Sequence, residues 1–373
     1  MSVPQQSAAA PTVSIIVPAR NEEACLGMCL ESLAAQSGVL FELIVVDDHS
    51  TDRTREIAAS LAGAHPNNVH VIEAGPLPEG WTGKNNAVTT GARAARGEWL
   101  LFTDADTVHL PGSLARALKE AQENHTDLLS YSPEQIAVTF WEMAVLPVVF
   151  AELARQYPPS KVSDPNSPDA AANGQYILIK RESYDAVGGH AAVAQDILED
   201  VALARAVKAS GRKIHFRYAA DAVRTRMYRN FGQLRDGWTK NLALLFPNPG
   251  WLAAKTLLVW GIPLGLLLWP MLMLLGAELA DHVTWLDGRQ LKALSGIVRH
   301  WWWNAIVTLG FARNTMRLKR ANFDVVMEFF GALLGMPMFA YLLLRSKRAH
   351  ANSNIQWKGR TYSDKGSLLA TGH

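Results

Sequence analysis

Cysteine is almost missing from this 373-residue chain: Cys25 and Cys29 are the only two. They stand i and i+4 on an expected helix. That pattern fits two small buried side chains better than a metal or redox site, and so few thiols suit a reducing compartment. Net charge is nearly missing as well. With 36 basic and 34 acidic residues the balance is +2, which leaves no electrostatic footprint for nucleic acid. Glycine-rich phosphate loops are absent. No G-x-G-x-x-G follows the first expected strand, which argues against a dinucleotide dehydrogenase, and no G-x-x-x-x-G-K-[ST] occurs, which excludes a P-loop enzyme. Residues 1–11 are rich in Ser, Ala, Gln and Pro without an apolar core, so disorder is expected there, with neither signal peptide nor anchor. No internal repeat or low-complexity tract is visible.

What is present begins with β-branched apolar runs. Thr12–Pro18 reads as a strand buried on both faces and gives way to the polar stretch Ala19–Glu23, followed by a helix from Cys25 to Gln36. Phe41–Val46 is a second strand, ending in Asp47 and Asp48. Ser50 or Thr51 is the expected cap of a helix over Arg53–Leu61. Val69–Ile72 and Glu98–Phe102 are further strands. Strands alternating with helices predict a doubly wound, mostly parallel α/β sheet, and such sheets bind ligands beyond the carboxyl ends of their strands. The polar clusters Arg20–Glu22, Asp47–Asp48 and Asp104/Asp106 all fall at such ends.

The sharpest of these is Leu100-Leu101-Phe102-Thr103-Asp104-Ala105-Asp106, an apolar run ending in two carboxylates one residue apart. Placed together at the end of a buried strand they repel each other and lose hydration, so a partner is expected. A hard divalent cation, Mg²⁺ or Mn²⁺, carrying a diphosphate satisfies that need. The bland alternative is two solvated aspartates at the start of a loop. Lys84, in Gly80–Asn86 ahead of a helix running to Arg96, is placed to reach a diphosphate or merely to sit in an ordinary helix-start turn.

Val17–Glu22, Val45–Asp52 and Thr103–Asp106, taken in this order, resemble the family 2 glycosyltransferases over roughly residues 12–245. The resemblance implies a GT-A nucleotide-sugar-binding fold and inverting, metal-dependent transfer. Pro78–Lys84 and Trp357–Tyr362 further resemble a membrane-bound subgroup associated with carotenoid and hopanoid lipids, distantly similar to ceramide glucosyltransferases. By that resemblance Pro18, Arg20, Glu22, Asp47, Asp48, Lys84 and Asp104 would bind the nucleotide sugar. Asp106, with Asp104, would hold Mg²⁺ or Mn²⁺.

Further along, Leu114–His125 is expected as an amphipathic helix and Asp127–Tyr131 as a strand. Phe140–Phe150 is apolar but short for a span, and reads equally as core or as an interfacial helix. Pro158–Ala172 is expected as a mobile loop at the acceptor entrance. Asn173–Lys180 is a strand that the resemblance puts on the acceptor side, with Gln175 on it. Asp200 opens the helix Ala202–Ala209. In isolation a carboxylate there reads as a cap, but the resemblance makes it the general base, with Glu199 in support or as the base itself. Lys213–Tyr218 is a last strand. Trp238, Lys240 and Asn241 are candidate acceptor or diphosphate contacts, and the Q-x-x-R-W pattern of processive relatives is not matched.

In the C-terminal third, Trp251–Ala277 and Val325–Leu344 are long enough to cross a hydrocarbon core. Between them Trp301, Trp302 and Trp303 suit a membrane–water interface. Basic residues at Arg313–Arg320 and at Arg345–Arg348 both favour the cytoplasm, which one full span between them cannot satisfy, so a re-entrant or interfacial segment is expected, with Pro263, Pro270 and Pro337 as breaks. The expected organisation is a GT-A domain over 12–245, C-terminal membrane-associated helices over 246–350, and a tail over 351–373 that could return to the active site. The expected partners are a nucleotide diphosphate sugar, with UDP favoured, and a lipid acceptor at a bacterial inner membrane, the catalytic domain facing the cytoplasm. A nucleotidyltransferase and a catalytically dead nucleotide-sugar sensor are the alternatives. A nucleotidyltransferase would show a Gly-rich, basic signature where this chain has Ala19–Glu22.

Overall fold

The computed structural model describes residues 10–66, 68–261, 323, 331–352, 355–357 and 360–362. Its centre is a seven-stranded sheet in the order β3-β2-β1-β4-β8-β6-β9. These strands are β1 Val13–Ala19, β2 Phe41–Asp47, β3 Val69–Glu73, β4 Trp99–Phe102, β6 Leu128–Ser132, β8 Ile177–Lys180 and β9 Ile214–Tyr218. The first four run parallel, β8 is antiparallel to β4 and β6, and β6 is parallel to β9. The sequence runs identify the strands of the parallel half to within a residue or so. Three further strands, β5 Thr107–His109, β7 Glu134–Gln135 and β10 Val223–Thr225, form a small second sheet. They are too short for any alternation pattern to reveal.

Both faces of the large sheet are covered. Val13, Ile15 and Val17 of β1 pack with Leu26 and Leu30 of α1 (Leu26–Ala34) and with Leu114 and Ala117 of α4 (Ser113–Glu123). Ile16 and Leu100 face the opposite layer, built on α3 (Gly83–Ala94) and α9 (Glu199–Ala209). Two polar residues inside buried strands are satisfied as a set. Ser14 Oγ donates to Glu42 Oε1 at 2.6 Å, and Arg96 closes on Glu42 through Nε and Nη2 at 2.9 and 2.7 Å. That pairing removes the cost of a buried carboxylate. Pro18 lies two residues past the last β1–β4 pair, Ile16↔Phe102, where no ladder bond is required of it.

Several expectations change in detail. Helix α2 (Thr54–Ala64) takes its first-turn hydrogen bond from Asp52, whose Oδ1 accepts from Thr54 N at 3.0 Å, and not from Ser50 or Thr51. Ser50 Oγ and Thr51 N are used instead to lace the loop after β2 to Asn21. The Pro158–Ala172 segment contains a short helix, α6 (Pro159–Val162), and buries Val162 and Ala170–Ala172. Lys208 Nζ donates to the carbonyls of Val162 and Asp169, so the segment is tied down at two points. Phe140–Phe150 belongs to a longer helix, α5 (Phe140–Gln156), opened by a Thr139/Glu142 capping box. Val145, Val149 and Phe150 place it in a third core with α10 (Phe231–Leu245) and the helix Met336–Ala351.

After α10 the chain turns by 110° into Pro249–Gly261, labelled α11. Among the described residues no single helix is long and apolar enough to cross a membrane, though α10 and α11 pass that test as a bent pair. The described part of the second apolar stretch is a π-helical turn, Gly331–Gly335, running into Met336–Ala351, labelled α12. Gly335 lies against the Ala144 carbonyl of α5, too close for any side chain. Trp301–Trp303, Arg313–Arg320, Pro263, Pro270 and residues 1–9 lie outside the described residues. A two-stranded hairpin, β11 (Ile355–Trp357) with β12 (Arg360–Tyr362), follows α12.

Gly91 tests the α3–sheet contact. A Cβ there would meet Ile16 Cγ2 at 2.5 Å and Val46 Cγ2 at 3.0 Å. Gly91→Val is expected to cost about 1–3 kcal/mol through overpacking, read as a lower thermal unfolding midpoint.

Candidate active site

The carboxyl ends of β1, β2 and β4 open into a cavity of about 340 Å³. Its polar half is lined by Pro18, Arg20, Glu22, Asp48, Lys84, Asp104 and Asp106, and Gln175, Glu199, Asp200, Lys240 and Trp238 complete the wall. The structure therefore brings together every expected site residue except Asp47. Successive strand residues point to opposite sides. Asp48 faces the cavity while Asp47 turns into its own loop, where Oδ1 accepts from Ser50 N at 3.3 Å.

The aspartates after β4 stand on a neutral polar knot. Thr103 Oγ1 donates to the Gln175 carbonyl at 2.8 Å, Thr107 Oγ1 donates to the Asp104 carbonyl at 2.8 Å, and His109 Nε2 lies 3.0 and 3.1 Å from the two hydroxyls. Burial pushes the His109 pKa down to about 3, so no positive charge competes beneath the carboxylates. Cys29 Sγ reaches the Asp104 carbonyl at 3.6 Å, and burial pushes its thiol up to about 12. It is an inert packing residue.

Lys84 joins the two sides of the cavity. Thr82 caps α3 by accepting from Asn85 N at 3.2 Å, which aims the first turn of that helix at the strand ends. From there Lys84 Nζ sits 2.7 Å from Asp104 Oδ1 and 2.7 Å from Glu199 Oε1. Burial works against its charge, but Asp104, Glu199 and Asp200 outweigh that and hold the ammonium well above the ordinary lysine range. Asp200, at the start of α9, accepts from Gly174 N on Oδ2 and from Val201 N on Oδ1, both at 2.8 Å. Burial and the neighbouring Glu199 charge raise its pKa to about 6, against the opposing pull of Lys84 and the two N–H groups. A Cβ at Gly174 would meet Lys84 Nζ at 3.1 Å and both carboxylates at 3.4 Å, so a side chain there would crowd the ammonium. Burial pushes Lys240 below the ordinary lysine range, although Glu199 pulls the other way.

The remaining wall is apolar, from Phe150 and Leu153 of α5, Met227, Tyr228, and Trp238 and Leu245 of α10. Trp238 is 2% exposed and stands edge-on to Phe150 and Tyr228, and its indole N–H has no hydrogen-bond partner among the described residues. Gln175 spends its amide on Thr225 Oγ1 at 3.2 Å, and that hydroxyl reaches the Asp106 carbonyl at 3.2 Å. It braces the loop as well as lining the cavity.

Sequence reasoning did not single out Gly174, Tyr228, the Thr103–Thr107–His109 knot or Arg360. Arg360 binds Asp48 through both guanidinium nitrogens, at 2.5 and 3.0 Å, from the C-terminal hairpin. The only signal for it was the Trp357–Tyr362 stretch.

Residues 14–188 match the family model described as Glycosyl transferase family 2. That span, just under half of the chain, carries the family 2 glycosyltransferase match. Over 367 residues it is 28% identical to the 4,4'-diaponeurosporenoate glycosyltransferase of Staphylococcus aureus (strain USA300), covering 94% of this chain and 88% of that protein. Among solved structures, the mannosyltransferase PcManGT from Pyrobaculum calidifontis in complex with GDP-Man and Mn2+ is similar at TM-score 0.49 and 18% identity, over 91% of this chain and 87% of its own. S. aureus TarS 1-349 in complex with UDP-GlcNAc is similar at TM-score 0.42 and 18% identity, over 66% of each chain. Both likenesses are too distant to assign a role to any residue.

The lysine bridge has a pH signature. A raised lysine pKa means that the stability linked to protonating Lys84 is fully present below the ordinary lysine value and is lost only in strong alkali. On the acid side the share owed to Asp200 fades as that carboxyl takes up its proton through about pH 6. Lys84→Met is expected to lower the thermal midpoint by roughly 2–4 °C near neutral pH, the gap to wild type narrowing as the pH falls through about 6. Thermal scans of both proteins across that range check it.

Proposed function

We propose that this glycosyltransferase moves one sugar from a nucleotide diphosphate sugar, a UDP-linked donor being favoured, to a hydroxyl or carboxyl group on a lipid, with inversion at the anomeric carbon. The observation that carries the reading is the meeting point inside one cavity. Strand-end carboxylates and Lys84 lie on one side, an apolar wall from α5 and α10 on the other, and Asp200 between them. Donor and acceptor of opposite polarity would meet beside that carboxylate.

Asp200 is the general base of this reading. An acceptor hydroxyl gives its proton to the carboxylate as its oxygen bonds to the anomeric carbon and the bond to the diphosphate oxygen breaks. One displacement with one base balances the reaction. Glu199, engaged with Lys84, raises the basicity of Asp200 through its charge. Pro18, Arg20, Glu22 and Asp48 line the nucleoside end, and Lys84 serves the diphosphate.

Among the described residues, six carboxylates face four cations in the cavity wall. A divalent cation suits that excess of negative charge. Among the described residues no group of three or more His, Cys, Asp or Glu is arranged for a metal. Asp104 and Asp106 would therefore hold Mg²⁺ or Mn²⁺ together with substrate oxygens and water, a donor set these ions accept. When bound, the ion neutralises charge developing on the departing nucleotide diphosphate.

The diaponeurosporenoate named for the S. aureus relative supports a long apolar acceptor. Trp251, Leu258 and Val259 of α11 are exposed, which supports a resting place against the bacterial inner membrane; the catalytic domain would face the cytoplasm, where nucleotide sugars are made.

The test is transfer by the full chain in membranes, using UDP- and GDP-sugars, Mg²⁺ or Mn²⁺ and bacterial lipid extract, with mass spectrometry of the lipid. Wild type is expected to add one sugar mass. Asp200→Asn and Asp106→Asn are expected to lose at least about 10²-fold in rate with the fold intact. Unchanged transfer in either variant would contradict the assignment, and no turnover of any donor by wild type would favour a nucleotide-sugar sensor.

The reading also fixes a pH profile for a hydroxyl acceptor. The rate should climb through about pH 6 as Asp200 loses its proton. Glu199→Gln removes the charge that raises Asp200, so the rise should move to lower pH. A rise that stays in place would show that another group limits the rate.

A further inference from the structure

We infer that Arg360, carried by the C-terminal hairpin, is a positioning residue of the donor pocket, and that it holds Asp48 in the orientation that receives the nucleoside. The inference rests on the functional reading above and deepens it. Nothing in the family resemblance assigns this arginine a role.

The contact joins two residues 312 positions apart. Both carboxylate oxygens of Asp48 accept from the guanidinium, Oδ2 from Nη1 at 2.5 Å and Oδ1 from Nη2 at 3.0 Å. The pair is well shielded, with side chains 14% and 6% exposed. A forked, shielded arginine–carboxylate pair fixes direction as well as charge, which a lysine would not do. From the other side Arg20 Nη1 donates to the Asp48 main-chain carbonyl at 2.6 Å. Main chain and side chain of Asp48 are thus held separately, by two arginines from opposite ends of the chain.

The space for this contact is built into the fold. Gly83, the first residue of α3, lies directly against the Arg360 guanidinium and the Asp48 carboxylate, and even a single Cβ there would collide with both. The guanidinium consequently occupies the gap between the end of β2 and the start of α3 and faces the cavity. A carboxylate accepts up to four hydrogen bonds, so Asp48 keeps capacity for a ribose hydroxyl or a base N–H after the fork is made. Arg360 also offsets the Asp48 charge in a pocket where carboxylates already outnumber cations and a dianionic diphosphate must enter.

The hairpin is secured from behind. Ile355 of β11 is buried, and β11 packs on α10. The preceding helix α12 is bonded along α10: Ser346 Oγ donates to the Thr239 carbonyl at 2.7 Å and accepts from Ala243 N at 2.8 Å, and His350 Nε2 lies 2.9 Å from the Lys240 carbonyl. The same helix that brings Trp238 and Lys240 to one wall of the cavity therefore anchors the segment that delivers Arg360 to the opposite wall.

The experiment is calorimetric binding of UDP and of GDP, each with Mn²⁺, to the purified full chain, its Arg360→Ala and Arg360→Lys variants, and Asp48→Asn alone and combined with Arg360→Ala. Donor and acceptor KM and kcat are measured alongside. Arg360→Ala is expected to weaken binding of the preferred nucleotide about tenfold or more and to raise donor KM in step, with kcat and acceptor KM within about twofold. Arg360→Lys should fall between, at an unchanged thermal midpoint, and Arg360→Ala should add little once Asp48 is Asn. Equal binding by Arg360→Ala and wild type would overturn the inference, and so would tighter binding, which would make the arginine an obstruction. A wild type that binds neither nucleotide would overturn the functional reading itself, and this inference with it.

Discussion

The site depends on one ammonium group. Asp104, Glu199 and Asp200 come from the end of a strand and the start of a helix that are far apart in the chain, and together they would repel one another and lose their hydration. Lys84, reaching in from α3, lies 2.7 Å from one oxygen of each of the first two and close to the third. Charge balance explains much of the surrounding design. Gly174 leaves room beside this meeting, the cap at Thr82 aims the helix that carries the lysine, and the Thr103–Thr107–His109 knot holds the aspartate loop without adding charge of its own.

The parallel half of the sheet was legible because its strands are buried on both faces and so show unbroken apolar runs. Where those runs stop, the topology itself collects the polar residues, which is why the sequence alone groups Arg20, Glu22, Asp48, Asp104 and Asp106. Asp47 shows the limit of that reasoning: adjacent carboxylates look equivalent in sequence, yet strand alternation sends only Asp48 to the cavity. The strands at Thr107–His109, Glu134–Gln135 and Val223–Thr225 carry too few residues for a pattern. Asp200 reads as a helix-start carboxylate in sequence, and only its place beside Lys84 and Glu199 distinguishes it from a simple cap. Arg360 pairs with a residue at the other end of the chain, a contact that no local signal encodes.

The described C-terminal elements are built into the wall of the cavity. Helices α5, α10 and α12 form their own core, and its inner face supplies the apolar wall of the cavity. Residues that composition alone marks as membrane-seeking, such as those of Phe140–Phe150, do double duty here, with one side closing the cavity and another, at Phe140, left exposed. A change in how these helices sit would be felt at Trp238 and Lys240 directly, and at Asp48 through the hairpin.

The central claim is that nucleotide and metal occupy the strand-end half of this one cavity, next to Asp200. The most direct measurement is an experimental structure of the full chain with a nucleoside diphosphate and Mn²⁺, with the ion located by its anomalous scattering. The account places the manganese signal against Asp104 and Asp106, with the diphosphate near Lys84 and the nucleoside beside Asp48. A nucleotide held elsewhere, or a metal signal away from both aspartates, would contradict it.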